Sequence, residues 1–190
     1  ASGSGGATSI ILNAGKARIQ GIEFETTAVP VDGLTLNASF GYTDPKYKSF
    51  LFRDPFTNVV TDVAGEARIA NVNKWNYTIG AQYAFPAFSI GELLAQVNYS
   101  YRSKIFFHPL DRVNIFNAGV ASPGQGNLTA RLTLSEIAVG DRAKAEISLW
   151  GENLANNDKI AYGIDFGGLG FGGALFAEPR SFGVDVKFKY

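Results

Sequence analysis

Cysteine is absent from the 190 residues, which rules out disulfides, thiolate metal sites and cysteine nucleophiles together. Methionine is also absent, and the opening ASGSGGATS has neither the charged start nor the apolar core of a signal peptide. The expectation is a chain cut from a longer polypeptide, or one whose leader has been removed, with a flexible glycine-rich start. Charge of one sign is missing too. Lys+Arg and Asp+Glu are both 17, so no basic field argues for nucleic acid. Although hydrophobic residues reach 46%, no run approaches the ~18 apolar residues of a membrane helix.

What is present is glycine (22 residues), aromatics (13%) and strict alternation. From 34 to 43, Leu34, Leu36, Ala38, Phe40 and Tyr42 fall on one face, with Thr35, Asn37, Ser39, Gly41 and Thr43 on the other. The same period of two runs through 75–85, 93–102, 128–135, 143–150 and 181–190, with Trp150 as an exception on a polar face. A less regular segment at 16–28 reads as a strand broken near Gly21, and 8–13 is an uncertain further stretch. Seven strands are expected, with no amphipathic helix.

The connections add direction. Those near 29–33 (VPVDG), 86–91 (PAFSIG) and 138–142 are short; those near 44–73, 106–124 and 156–179 are long. Alternation of short and long puts every long loop at one end, as in outer-membrane barrels. Aromatics gather toward strand ends (Tyr42, Trp75, Phe85, Tyr101, Phe106, Tyr190), where headgroup-level girdles sit. Charges such as Arg102, Arg131, Lys144, Glu146, Asp185 and Lys187 keep to the polar face. A soluble β-sandwich is the competing fold, distinguished by an apolar face that would be buried.

Several motifs have plainer readings than their chemistry suggests. GLGFGG at 168–173 matches a dinucleotide fingerprint but lacks the strand–turn–helix setting, so it reads as a flexible outer loop. His108 has no second histidine or any cysteine to share a metal with, and reads as a loop histidine beside Pro109. Glu23 and Glu25 would lie roughly 7 Å apart on a strand and read as acids in a network with cations of neighbouring strands. No catalytic residue, metal site or cofactor motif stands out, and the chain is not expected to be an enzyme.

The stretch AGKARIQGIEFETTAVPVDGLTLNASFGYTDPKY (14–47) resembles the late-barrel signature of TonB-dependent receptors, at Gly21, Ile22, Glu23, Glu25, Pro30, Gly33, Leu34, Gly41, Tyr42, Asp44 and Tyr47. ISLWGENLANND (147–158) is similar to the penultimate strand of that family, with Asn153 and Leu154. EPRSFGVDVKFKY (178–190) resembles its last strand, with Pro179, Arg180, Phe182, Gly183 and Tyr190.

The resemblance implies an all-β, antiparallel up-and-down transmembrane β-barrel of the bacterial outer membrane. The chain would span 1–190 as the C-terminal seven or so strands of a ~22-stranded barrel, without the plug. It implies active uptake of a bulky, scarce, siderophore-like solute. The implied partners are the rest of the barrel and the plug, the TonB energy-transducing complex reached through that plug, and outer-membrane lipid. The terminal aromatics Phe182, Phe188 and Tyr190 would be the assembly signal. Ligand contacts would come from the outer loops, at Arg53, Asp54, Phe56, His108, Asp111, Arg112, Asn114, Asp165, Phe166 and Phe171. The alternative is a small self-contained eight-stranded outer-membrane barrel with a structural or adhesive role, drawing its eighth strand from 1–13.

Overall fold

Each alternating segment pairs with the next one in the chain. The structure is a computed structural model that describes residues 15–54 and 57–190. One antiparallel sheet runs in the order β1 (Gly15–Val31), β2 (Leu34–Arg53), β4 (Trp75–Ala84), β5 (Glu92–Arg102), β6 (Gln125–Val139), β7 (Ala143–Glu152) and β10 (Ser181–Lys189). β3 (Val60–Asp62) extends the outer end of β2, and β8 (Ile160–Phe166) pairs with β9 (Phe171–Phe176) in a separate hairpin. Among the described residues helix is confined to α1 (Asn117–Val120) and a 3-10 turn at Gly167–Leu169. Among the described residues no helix is long and apolar enough to cross a membrane.

The register turns the sequence alternation into rows that cross the whole sheet. Ala28, Leu36, Ala81, Val97, Ala130, Gly151 and Phe182 stand opposite one another through all seven strands. The adjacent row on that face is Leu34, Tyr83, Ala95, Leu132, Leu149 and Val184. Between them, on the other face, lies Thr35, Gln82, Gln96, Arg131, Trp150 and Gly183. Since neighbouring side chains on a strand point to opposite sides, one face is continuously apolar and the other continuously polar.

Nothing among the described residues covers the apolar face. Ile79 is 57% exposed, Val184 61% and Phe182 78%. Among the described residues the buried apolar ones are Phe50, Val63, Ile105, Leu110, Val120, Ala121 and Ala145, of which only Ala145 lies in the part of the sheet that all seven strands share. The remainder sit in the long loops and the outer end of β2. An uncovered apolar surface spanning seven strands is far larger than a soluble monomer tolerates. Among the described residues the buried inner face that a soluble sandwich requires is not found.

Three strand boundaries differ from the sequence expectation. β1 passes unbroken through Gly21, where a Cβ would come within 2.2 Å of the Tyr42 carbonyl oxygen; the glycine serves close strand approach rather than a break. β2 continues ten residues past Thr43, because main-chain pairing to β1 needs no apolar face. Pro45 is accommodated there, because on that side β2 has no paired strand between the end of β4 at Trp75 and the start of β3 pairing at Leu51. β6 continues to Val139 across a bulge between Leu134 and Ile137, with Glu136 at φ +58° and its carboxylate paired with Lys144.

The short connections (32–33, 85–91 and 140–142) lie at one end and the long ones at the other. Gly33, at φ +79°, makes the β1–β2 turn in the left-handed region that glycine tolerates. The glycine-rich segment expected to be a flexible loop is instead the turn of the β8–β9 hairpin, with Gly170 at φ +83°.

The two faces carry a paired prediction. Ala130→Arg, on the apolar face, should lower the stability of the membrane-inserted protein by ~2–4 kcal/mol, and neighbouring Thr129→Arg, on the polar face, by less than ~1 kcal/mol. Denaturant titration of both variants in lipid vesicles measures the difference.

Candidate functional site: polar face and outer loops

The polar face is hydrogen-bonded across strands. Gln96 Nε2 donates to Gln82 Oε1 at 2.9 Å, and the Thr133 and Ser148 hydroxyls are 2.9 Å apart. Arg131 pairs with Asp185 across β7, and Lys187 with Glu146 at 3.0 Å. Trp150 belongs here because its indole N–H donates to Asp185 at 3.2 Å. Its ring lies over Gly183, where a Cβ would come within 2.6 Å of it. The residue that broke the alternation thus roofs a glycine and ties β7 to β10. Glu23 and Glu25 do not form the expected cation network. They face Gly41 and Ser39 on β2 and make no ion pair among the described residues.

Beyond the strands the three long loops are tied together by a continuous polar chain. Arg68 in the first loop donates to both carboxylate oxygens of Asp111 in the second, at 2.5 and 2.8 Å. Asn117, fully buried, donates from Nδ2 to Asp111 at 2.8 Å and to the His108 carbonyl at 3.0 Å. The Asp165 main-chain N–H, in β8, donates to His108 Nε2 at 2.9 Å; in return Asp165 Oδ2 accepts the Phe116 N–H at 2.7 Å. Arg112 joins Glu66 at 2.7 Å, and the Arg68 guanidinium lies 4.1 Å from the centre of the Phe106 ring. Apolar packing of Phe50, Val63 and Leu110 lies beside this network. Arg68's hydrogen bonds to Asp111 are the main cause holding that carboxyl below its ordinary value of 3.8.

The residues singled out from sequence meet different fates. His108, Asp111 and Asp165 come together, yet they bind one another's loops, Asp111 through Asn117 and Asp165 through the His108 ring. Arg112 is occupied by Glu66. The guanidinium of Arg53 donates to the Asn58 carbonyl at 3.3 Å, and Asp54 accepts the Thr57 N–H at 2.9 Å, so both belong to a tight turn. Asn114 contributes its main chain, with its N–H on the Leu110 carbonyl at 3.1 Å. Phe166 and Phe171 pack with ring centres 5.0 Å apart across the hairpin, and Phe56 lies outside the described residues. Of the terminal aromatics, Phe182 and Phe188 project from the exposed apolar face of β10, and Tyr190 follows that strand.

Sequence reasoning missed Arg68, Glu66 and Asn117, which carry no motif and gain meaning only when separate loops meet. It also missed the exposed apolar residues of the hairpin, Tyr162, Leu169, Leu175 and Phe176. The hairpin is held in place because Gly163 packs against Val120 of α1, where a Cβ would meet the Val120 carbonyl oxygen at 2.2 Å.

The meandering sheet, its two opposite faces and the long loops at one end are the geometry of a membrane β-barrel wall. A family model described as TonB dependent receptor-like, beta-barrel, matches residues 1–154. The chain belongs to the TonB-dependent receptor family. No solved structure matches it. The family match runs from before β1 to just past β7, so it covers six of the seven strands of the wall. As a barrel of this family, the chain is an outer-membrane protein, with its apolar rows toward lipid and its polar rows toward the lumen.

Two results are expected of the receptor's loop network. Asn117→Ala should remove the donor to the His108 carbonyl and one of three hydrogen bonds to Asp111, which keeps its two from Arg68, and cost ~0.5–1.5 kcal/mol of local stability, seen as faster amide exchange in 103–120 with unchanged exchange in β4–β6. Because the Asp111 carboxyl is depressed, its contribution is present above the unfolded value of ~3.9 and is lost as pH falls through the lower folded value. Proteolysis of the loops should therefore accelerate in that acid window, and Asp111→Asn should reduce the pH dependence by the part that Asp111 contributes.

Proposed function

We propose that this chain forms lumen wall and outer ligand-contacting loops of a TonB-dependent transporter for a bulky, partly apolar, siderophore-like solute. The observation that carries this reading is the braced β8–β9 hairpin. It presents Tyr162, Leu169, Phe171, Leu175 and Phe176 to the outside beside loops of mixed charge. Exposed apolar side chains on an ordered support suit a large ligand with both apolar and polar surface, because a pre-ordered loop loses little entropy on binding. The polar groups that could have served catalysis are engaged in holding loops together, which supports binding and passage rather than an enzymatic step.

The sheet's ends support a larger assembly. Among the described residues β1 and β10 each have a partner on one side only. In hydrocarbon an unpaired row of N–H and C=O groups is costly, so further strands would close the wall. The plug, and through it the TonB complex, would come with that remainder. The self-contained eight-stranded barrel would instead require a strand from 1–13 to close against β10; residues 1–13 lie outside the described residues.

Cells producing the whole receptor should take up one or more ferric hydroxamate or catecholate complexes only when TonB is intact. Phe171→Ser together with Leu175→Ser should weaken binding of that complex roughly tenfold or more without lowering the amount of folded barrel. Uptake that persists without TonB, or binding indifferent to the double substitution, would contradict the proposal.

A further inference from the structure

The apolar face ends abruptly toward the loops, and a cationic cleft opens at that edge. Ile22, Tyr42 and Trp75 form the last apolar row; the rows above it are Gln20 with Asp44 and Arg18 with Lys46. Trp75 packs on Tyr42 at 4.4 Å and on Phe40 at 5.6 Å, and Tyr77 stacks on Tyr101 at 5.2 Å. This aromatic cluster marks the depth at which the hydrocarbon gives way to headgroups. Bordering Trp75 is a cleft of about 650 Å³, between the outer half of β2 and the loop segments 64–74 and 103–106. Lys46, Arg68, Lys74 and Lys104 line it against a single carboxylate, Asp44, with Trp75 and Phe106 as apolar walls. Asp44 already pairs with Lys46 at 2.9 Å, and Arg68 with Asp111. Lys74 and Lys104 make no ion pair among the described residues, and the Lys104 ammonium lies 4.5 Å from the centre of the Phe106 ring.

We propose that this cleft binds the phosphate of an anionic lipid of the outer leaflet. Asp44 and Lys46 share a face with Tyr42, the face whose lower part meets lipid, so the cleft flanks the barrel on the outside rather than opening into the lumen. Its two ammonium groups without an ion pair sit where a lipid phosphate lies, and each such cation near an anionic surface adds attraction of a size that matters. Lysine suits the task as a mobile point charge on a stem that can lie along the Trp75 and Phe106 rings. Below, the exposed side chains Ile22, Phe24 and Ile79 offer an apolar surface along which the acyl chains of the same lipid run. This site is separate from the solute-binding hairpin and stands whether or not a siderophore-like solute is the cargo.

The test uses the whole receptor containing this chain, in neutral detergent micelles doped with phosphatidic acid, whose head is a bare phosphate, or with phosphatidylcholine. Phosphatidic acid should bind in preference to phosphatidylcholine, more weakly as salt rises. The double variant Lys74→Ala, Lys104→Ala should bind it about twenty-fivefold less well, taking about fivefold per cation. Arg142→Ala, at the opposite end of the sheet, should leave binding unchanged, and the heat-modifiable mobility of each variant verifies folding. Equal binding of phosphatidylcholine, an unaffected double variant, or displacement of the lipid by equimolar inorganic phosphate would each overturn the assignment.

Discussion

Hydrogen bonding of the main chain is the constraint from which the rest of this wall follows. In hydrocarbon no water can satisfy an N–H or C=O, so each strand must find its partners in neighbouring strands. Once the strands are fixed in a sheet, successive side chains alternate between two sides, and each side meets a different medium. The register makes the outcome coherent. Phe182 of β10 shares a row with Ala28 of β1 at the opposite edge, so a slip of one residue anywhere would put polar side chains into lipid.

The apolar contacts that usually hold a domain together are displaced to its outer end. Phe50, Val63 and Leu110 pack there, and the Arg68–Asp111–Asn117–His108–Asp165 chain fastens loops that come from distant parts of the sequence. Asp62 caps this arrangement. Its carboxylate accepts the Phe50 and Ala64 N–H groups at 3.0 Å each, and these bonds, the Phe50 one foremost, hold it below the usual carboxylate range. A loop layer braced in this way can present exposed aromatic and aliphatic groups without collapsing on itself.

All seven strands of the wall and the end at which the long loops gather were legible in the sequence, because period two records which side of the sheet each residue faces. The family was legible as well, through spaced residues such as Gly33, Gly41, Tyr42 and Asp44. Strand ends were less so. Past Tyr42 the alternation of β2 loses its apolar member while main-chain pairing goes on, and a bulge at Ser135–Glu136 interrupts the pattern of β6 without ending it. The β8–β9 hairpin was hidden by its glycines, which read as looseness but serve the turn at Gly170 and close packing of Gly163 and Gly172 on Val120. Candidate ligand residues were chosen by chemical type, and type alone could not reveal that His108, Asp111 and Asp165 satisfy one another's loops.

Which medium each face meets is decided most directly by single-cysteine labelling along β6, at Leu128, Thr129, Ala130, Arg131, Leu132 and Thr133, in the whole receptor reconstituted in lipid. A probe at Leu128, Ala130 or Leu132 should be quenched by a lipid-phase quencher and protected from an aqueous one. Probes at the alternate positions should escape the lipid-phase quencher. If instead the apolar positions are shielded from both quenchers, that face is packed against protein and the sheet does not form a membrane wall.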